Sequence, residues 1–122
     1  WFGANCDNVL NYIPSRLTGL IMVLASILLE NDWKQSYQIL KKHSGNTSSP
    51  NAGYPMAALA GALNTKFQKV DHYRIGNGSV YLSTTHVRSA IVLMKVTTIL
   101  FFGIVTIPII TVLSYLGLTI IA

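Results

Sequence analysis

Two long apolar runs bracket a polar middle. Residues 96–122 form 27 consecutive positions without a formal charge, which is about 40 Å of helix against the ~30 Å hydrocarbon core of a bilayer. This run is predicted to be a transmembrane helix. Pro108 lies near its centre and predicts a kink, with the freed carbonyl re-satisfied by Thr106 or Thr111.

The second run, residues 9–29, is 21 residues long and is interrupted only by Pro14 and Arg16. Its apolar half, LTGLIMVLASILL, is too short to span a bilayer alone. Either the segment is half-inserted with Arg16 snorkelling at the interface, or Arg16 faces a polar cavity inside a larger bundle. Asp7 or Asn8 is placed to cap this helix, and Glu30-Asn31-Asp32 marks its exit.

Between the runs, residues 30–95 read as a loop region with short helices. The stretch DWKQSYQILKK sets Trp33, Tyr37 and Leu40 opposite Lys34, Lys41 and Lys42. That pattern suits a helix on a membrane surface, on a partner, or covering its own core. Further on, Tyr73 and Ile75, Asn77-Gly78, then Val80 and Leu82 predict a short β-hairpin. Thr84 or Thr85 can cap the helix that leads into the last span.

The tightest turn is SSPNAGYP, where Pro50 and Pro55 fix φ, Asn51 can form an Asx-turn and Gly53 permits close approach. Pro55 suits the first position of a helix. That helix carries Ala57 and Gly61 four residues apart, a face of nearly bare backbone. Backbone N–H groups at its start can take a phosphate or carboxylate, or the turn simply joins two helices.

Charge then sets the orientation. The chain carries a formal charge of +5, and eight of its nine basic residues (all but Arg16) lie within residues 30–95. An excess of Lys and Arg puts that region on the cytoplasmic side. These basic residues are scattered and form no stripe, which argues against nucleic acid. With 11% charged residues and a mean hydropathy of +0.45 the chain is too apolar for an ordinary soluble domain. It starts at Trp1 with no signal-peptide pattern and is expected to be part of a longer polypeptide. Cys6 is alone, and His43, His72 and His86 are too dispersed to predict a metal site. No Walker-type loop, nucleophile elbow or carboxylate pair is present.

Two motifs in order, DNVLNYIPSRLTGLIMVLASILL and SPNAGYPMAALAGALN, resemble the C-terminal part of adenosylcobinamide-phosphate synthase, the CobD/CbiB family of cobalamin biosynthesis. The likeness is carried by Asp7, Asn11 to Pro14 with Arg16 and Leu17, Ser49 to Gly53 with Pro55, and Ala60 to Leu63, and it continues into KVDHYRIG. It departs at Met56, where many members carry glutamate.

Hydropathy, charge and turn pattern together predict a mainly α, integral membrane helical protein with a cytoplasmic-side loop region that contains a short β-hairpin, and the resemblance agrees with it. The resemblance implies ATP-dependent attachment of aminopropanol or its phosphate to a propionate of adenosylcobyric acid, with magnesium, in a multi-pass protein of the cell membrane whose N-terminal part is missing here. Arg16 and Asp7 are the expected catalytic residues: Arg16 would neutralise charge, and Asp7 would orient Arg16 or bind magnesium. Ser49, Pro50, Asn51, Gly53 and Tyr54 are expected to bind phosphate, with the N–H groups of Tyr54 and Met56 contributing. The alternatives are a transporter or channel subunit, whose Pro/Gly turn is a broken helix, and a scaffold that holds partners through its small-residue face.

Overall fold

The computed structural model describes residues 2–47, 51–69, 73–76 and 84–121. They are mainly helical. In chain order come α1 (Phe2–Leu10), α2 (Tyr12–Leu28), α3 (Trp33–His43), α4 (Gly53–Ala62), strands β1 (Phe67–Lys69) and β2 (Tyr73–Ile75), α5 (Thr84–Phe101), a π-helical turn (Phe102–Thr106) and α6 (Ile107–Ile121).

The first apolar run is broken, with α1 and α2 meeting at 42°. Pro14 has no N–H to offer the Leu10 carbonyl and its ring crowds that group, so the helix stops and restarts at Tyr12. The expected capping by Asp7 or Asn8 is corrected, because the helical pattern extends back to Phe2 and both residues lie inside α1. Asn11 holds the cap position of α2 without a capping bond. Its side-chain amide turns back instead and donates to the Asp7 carboxylate at 3.0 Å.

Two reversals of one design shape the fold. At the end of α2, Glu30 takes φ 59°. Its N–H donates to the Ile27 carbonyl at 3.2 Å, and that of Asn31 to Ser26 at 2.9 Å. At the end of α4, Asn64 takes φ 52°, with its N–H on Gly61 at 3.2 Å and that of Thr65 on Ala60 at 2.9 Å. Both are Schellman caps, which consume the last carbonyls of a helix and reverse the chain.

Asp32 caps α3 by accepting the Gln35 N–H at 3.1 Å. The helix covers the protein's own core, but with a different face from the one expected. Ser36, Ile39 and Leu40 are buried, while Trp33 and Tyr37 are 41% and 44% exposed. The reason is α4, whose side chains are nearly all small. A Cβ placed on Gly61 would sit 2.5 Å from the Gln35 carbonyl oxygen and from the Ser36 Cα, so α3 must turn its narrowest side to α4. The Ser36 hydroxyl then reaches the Ala58 carbonyl at 2.7 Å inside the contact. At the start of α4, Gly53 lies against the Ser44 carbonyl, with no room for a Cβ. Pro55 is the third residue of α4 rather than its first, still within the turn whose N–H groups lack helical partners.

The core lies where α2, α3, α4 and α5 meet around Met22, Val23, Ala25, Leu40, Ala58, Ala62 and Leu93. A smaller cluster of Ile39, Ala57, Ala60 and Ile75 sits beneath the sheet. There β1 and β2 pair antiparallel, Phe67 opposite Ile75 and Lys69 opposite Tyr73. Strand 73–75 thus pairs with the strand before it; the expected second arm, with Val80 and Leu82, lies outside the described residues. Ile75 is fully buried, and pairing with the strand that leaves α4 holds it in that cluster. Gly76, at φ 97°, donates its N–H to His43 Nδ1 at 2.9 Å, and the Asn46 amide donates to the Arg74 carbonyl at 2.9 Å. Both bonds tie the sheet to the end of α3.

From Thr84 to Leu118 the chain forms 35 residues of continuous helix, long and apolar enough to cross a membrane. The π turn stands directly before Pro108. Thr111 does not reach the carbonyl that Pro108 frees; its hydroxyl donates to Ile107 at 2.9 Å.

Candidate functional site

The broken helix and the turn before α4 come together around Arg16. Tyr12 and Arg16 are four residues apart on α2 and share a face. The guanidinium carbon lies 3.4 Å from the Tyr12 ring centroid and 4.3 Å from that of Tyr54, in the first turn of α4. A planar cation stacked on two rings is held in a fixed plane, which an ammonium would not be.

Asn51 locks this arrangement from the side. It is 7% exposed, and its amide nitrogen donates to the Asn8 carbonyl at 2.9 Å, in the last turns of α1. Its side-chain oxygen accepts from Arg16 Nη1 at 3.4 Å and shares the Ser15 hydroxyl proton, at 3.4 Å, with the nearer Tyr12 carbonyl at 3.1 Å. Nη1 also donates to the Tyr12 carbonyl at 2.8 Å. One asparagine thus joins the end of α1, the start of α2 and the turn before α4. Its oxygen faces two donors and its nitrogen a carbonyl, which is the orientation those partners require.

The arginine is only partly engaged. Nη1 takes all the hydrogen bonds it makes, and among the described residues the Nε and Nη2 donors have none. Three N–H groups in one plane on a half-buried side chain form the fork that binds a carboxylate or phosphate bidentately.

The other expected site residues fall around this centre in different ways. Asp7 is exposed, accepts from Asn11 and forms no ion pair with Arg16 among the described residues. The Tyr54 N–H is directed to the Asn51 carbonyl at 3.3 Å, and the Met56 N–H to Ala52 at 3.5 Å. The turn therefore uses these N–H groups on its own backbone, and Tyr54 meets the site through its ring. Gly53 serves the packing of α4 on Ser44. Ser49 and Pro50 lie outside the described residues. Asn8, Tyr12 and Ser15 were missed by sequence reasoning as partners. The four-residue step from Tyr12 to Arg16 was the available signal; the reach from Asn51 to Asn8 across 43 positions left none.

Among the described residues no group of three or more His, Cys, Asp or Glu could hold a metal ion. Asp7, the carboxylate nearest the site in sequence, is engaged with the Asn11 amide rather than with a second carboxylate.

These features define a class: a helical, membrane-associated protein with an arginine fork at a helix break. The chain matches the family described as CobD/Cbib protein over residues 1–100, and it belongs to that family, whose curated members are named for cobalamin biosynthesis. It is 44% identical over 101 residues to the probable cobalamin biosynthesis protein CobD of Methanothermobacter thermautotrophicus, covering 83% of this chain and 34% of that protein. To the cobalamin biosynthesis protein CobD of Dehalococcoides mccartyi it is 43% identical over 76 residues, 62% of this chain and 25% of the relative. To the probable CobD of Methanocaldococcus jannaschii it is 35% identical over 83 residues, 66% and 27% of the two chains. The chain thus spans about a third or less of these relatives, over their C-terminal part. No solved structure matches it.

Proposed function

We propose that the chain is the C-terminal part of a membrane ligase that attaches aminopropanol or its phosphate to a propionate of adenosylcobyric acid. The observation that carries this reading is the Arg16 fork, held between Tyr12 and Tyr54 with three donors uncommitted among the described residues. In such a reaction the propionate oxygen attacks the terminal phosphorus of ATP, giving an acyl phosphate and ADP. The amine then attacks the acyl carbon and phosphate leaves, so that the sum is an amide, ADP and phosphate.

Each step moves negative charge onto oxygen, and a preorganised guanidinium in a drier site stabilises that charge more than water would. Arg16 is the residue we assign to the anionic oxygens, with Asn51 and Tyr54 holding it. In this reading the magnesium ion arrives on the ATP phosphates; among the described residues no carboxylate cluster is present. The α3 and hairpin region would face the cytoplasm, where the ATP is.

The test uses membranes that hold the full-length protein and follows ADP release with adenosylcobyric acid and aminopropanol phosphate, together and singly. Release that needs both substrates and falls at least tenfold in Arg16→Ala is the expected result. Wild-type membranes without substrate-dependent ADP would overturn the ligase reading, and transport of a corrinoid would then be measured. Full activity in Arg16→Ala would keep the ligase and remove the arginine from its site.

A further inference from the structure

The two ends of the helical bundle differ in charge. The Gln35 and Ser36 backbone lies against Gly61, and the Ser44 carbonyl against Gly53, so α3 and α4 run antiparallel. One end gathers the start of α4 and the last turn of α3, where Lys41 and Lys42 are exposed. Arg16 joins that end through Asn51 and the Tyr54 ring. The opposite end holds the start of α3, where the Asp32 N–H meets the Ala62 carbonyl at 3.4 Å, and with it Glu30 and Asp32, two of the four acidic residues of the chain. Among the described residues the only carboxylate near the basic end is Asp7, which is bonded to Asn11.

The basic end is the one turned toward the membrane. Thr18, two residues after Arg16, shares a groove with Phe101, Phe102 and Thr106, while Met22, Val23 and Ala25 pack with Leu93. Helices α2 and α5 are therefore antiparallel. Beyond Phe101 no described residue is buried, and the rod runs on as the charge-free α6. Helix α1 leaves the same end in the direction of α6, bent by 42°. Its Phe2, Val9 and Leu10 are exposed and, with Asn5 and Cys6, line a shallow apolar depression of about 530 Å³. Asn51, bonded to both the Asn8 carbonyl and Arg16, keeps that surface beside the fork.

A planar fork of donors, with an apolar surface leading from it toward the bilayer, is complementary to an amphiphile with an anionic head. The two unesterified oxygens of a phosphodiester match the fork. Inorganic phosphate would leave the α1 surface uncovered, and a choline headgroup would bring one more cation to Arg16, Lys41 and Lys42. We infer that Arg16 holds the phosphate of an anionic phospholipid, with an acyl chain laid along Val9 and Phe2. The inference rests on the fork assigned above to the substrate's oxygens, so the acid substrate must displace the lipid to enter.

The experiment is native mass spectrometry of the full-length protein, released from detergent micelles loaded with equal amounts of phosphatidylglycerol and phosphatidylcholine. The wild type is expected to retain phosphatidylglycerol about tenfold over phosphatidylcholine, and Arg16→Gln to lose that preference. Equal retention of the two lipids by the wild type, or an unchanged preference in Arg16→Gln, would overturn the inference. Inorganic phosphate is expected to leave the lipid in place; if it displaced phosphatidylglycerol as well as a short-chain phosphatidylglycerol does, the fork would be a site for free anions and the inference would fall. Val9→Asp, at an exposed position, sets a carboxylate where the acyl chain would lie and serves where Arg16→Gln does not fold. It is expected to lose the retained lipid, and full retention would again refute the assignment. No turnover is read, so a failure of the ligase reading leaves each of these outcomes as it stands.

Discussion

Gly61→Ala tests the contact that sets the position of α4, and with it of Asn51 and Tyr54. A Cβ at position 61 would lie 2.5 Å from the Gln35 carbonyl oxygen, 2.5 Å from the Ser36 Cα and 2.8 Å from the Gln35 carbonyl carbon. All three are backbone atoms and no rotamer relieves them. Carbon–carbon contacts are optimal near 3.5–4.0 Å, so α3 and α4 must separate by roughly 1 Å. Overpacking of this kind costs about 1–3 kcal/mol, against which alanine returns up to ~1 kcal/mol of helix propensity. Separation also stretches the 2.7 Å bond from Ser36 to Ala58, which holds the sum on the destabilising side. The expected net loss is about 1–2 kcal/mol.

The assay is denaturant unfolding of the full-length protein in mild detergent, followed by helical circular dichroism. Gly3→Ala serves as the control, since nothing lies within 4 Å of a Cβ at that position and propensity alone predicts a gain. If Gly61→Ala stabilised the protein as much as Gly3→Ala, close packing of α3 on α4 would be refuted.

Other changes probe single interactions. Glu30→Gly removes a side chain from φ 59° and is expected to raise unfolding free energy by about 0.5–1 kcal/mol, whereas Asn64→Gly, at a residue that tolerates this conformation, changes it by only a few tenths. His43→Leu deletes the acceptor of the buried Gly76 N–H at a cost of about 1–3 kcal/mol; hydrogen exchange at Gly76 should quicken, and unchanged protection would contradict the bond. Arg16→Lys keeps the charge but loses the plane and the fork, and under the proposed reaction it should raise KM for the anionic substrate about tenfold to a hundredfold. An unaltered KM would mean that charge alone suffices.

Much of the candidate site was legible because it is local. Tyr12, Pro14 and Arg16 lie within one short stretch, and helix geometry alone puts the tyrosine ring and the guanidinium on one face. What was not legible is the role of the turn. Composition suggested free N–H groups at a helix start, yet the Tyr54 and Met56 N–H groups return to Asn51 and Ala52. The Asn51 side chain reaches instead to the α1–α2 break, because a buried amide must pair both its oxygen and its nitrogen. Similarly, Trp33 and Tyr37 read as a core face on hydrophobicity, but helix α4 is too thin to receive them.

The chain's own residues determined the apolar runs, the break at Pro14, the start of α3 at Asp32 and the basic middle, since each follows from side-chain transfer, proline sterics or capping within a few positions. Tertiary structure alone decided which face of α3 is buried, that β2 pairs with the strand before it, and that Asn51 braces Arg16. Those outcomes depend on how closely two backbones approach and on which distant carbonyl is left without a donor. Neither quantity is set by neighbours in sequence.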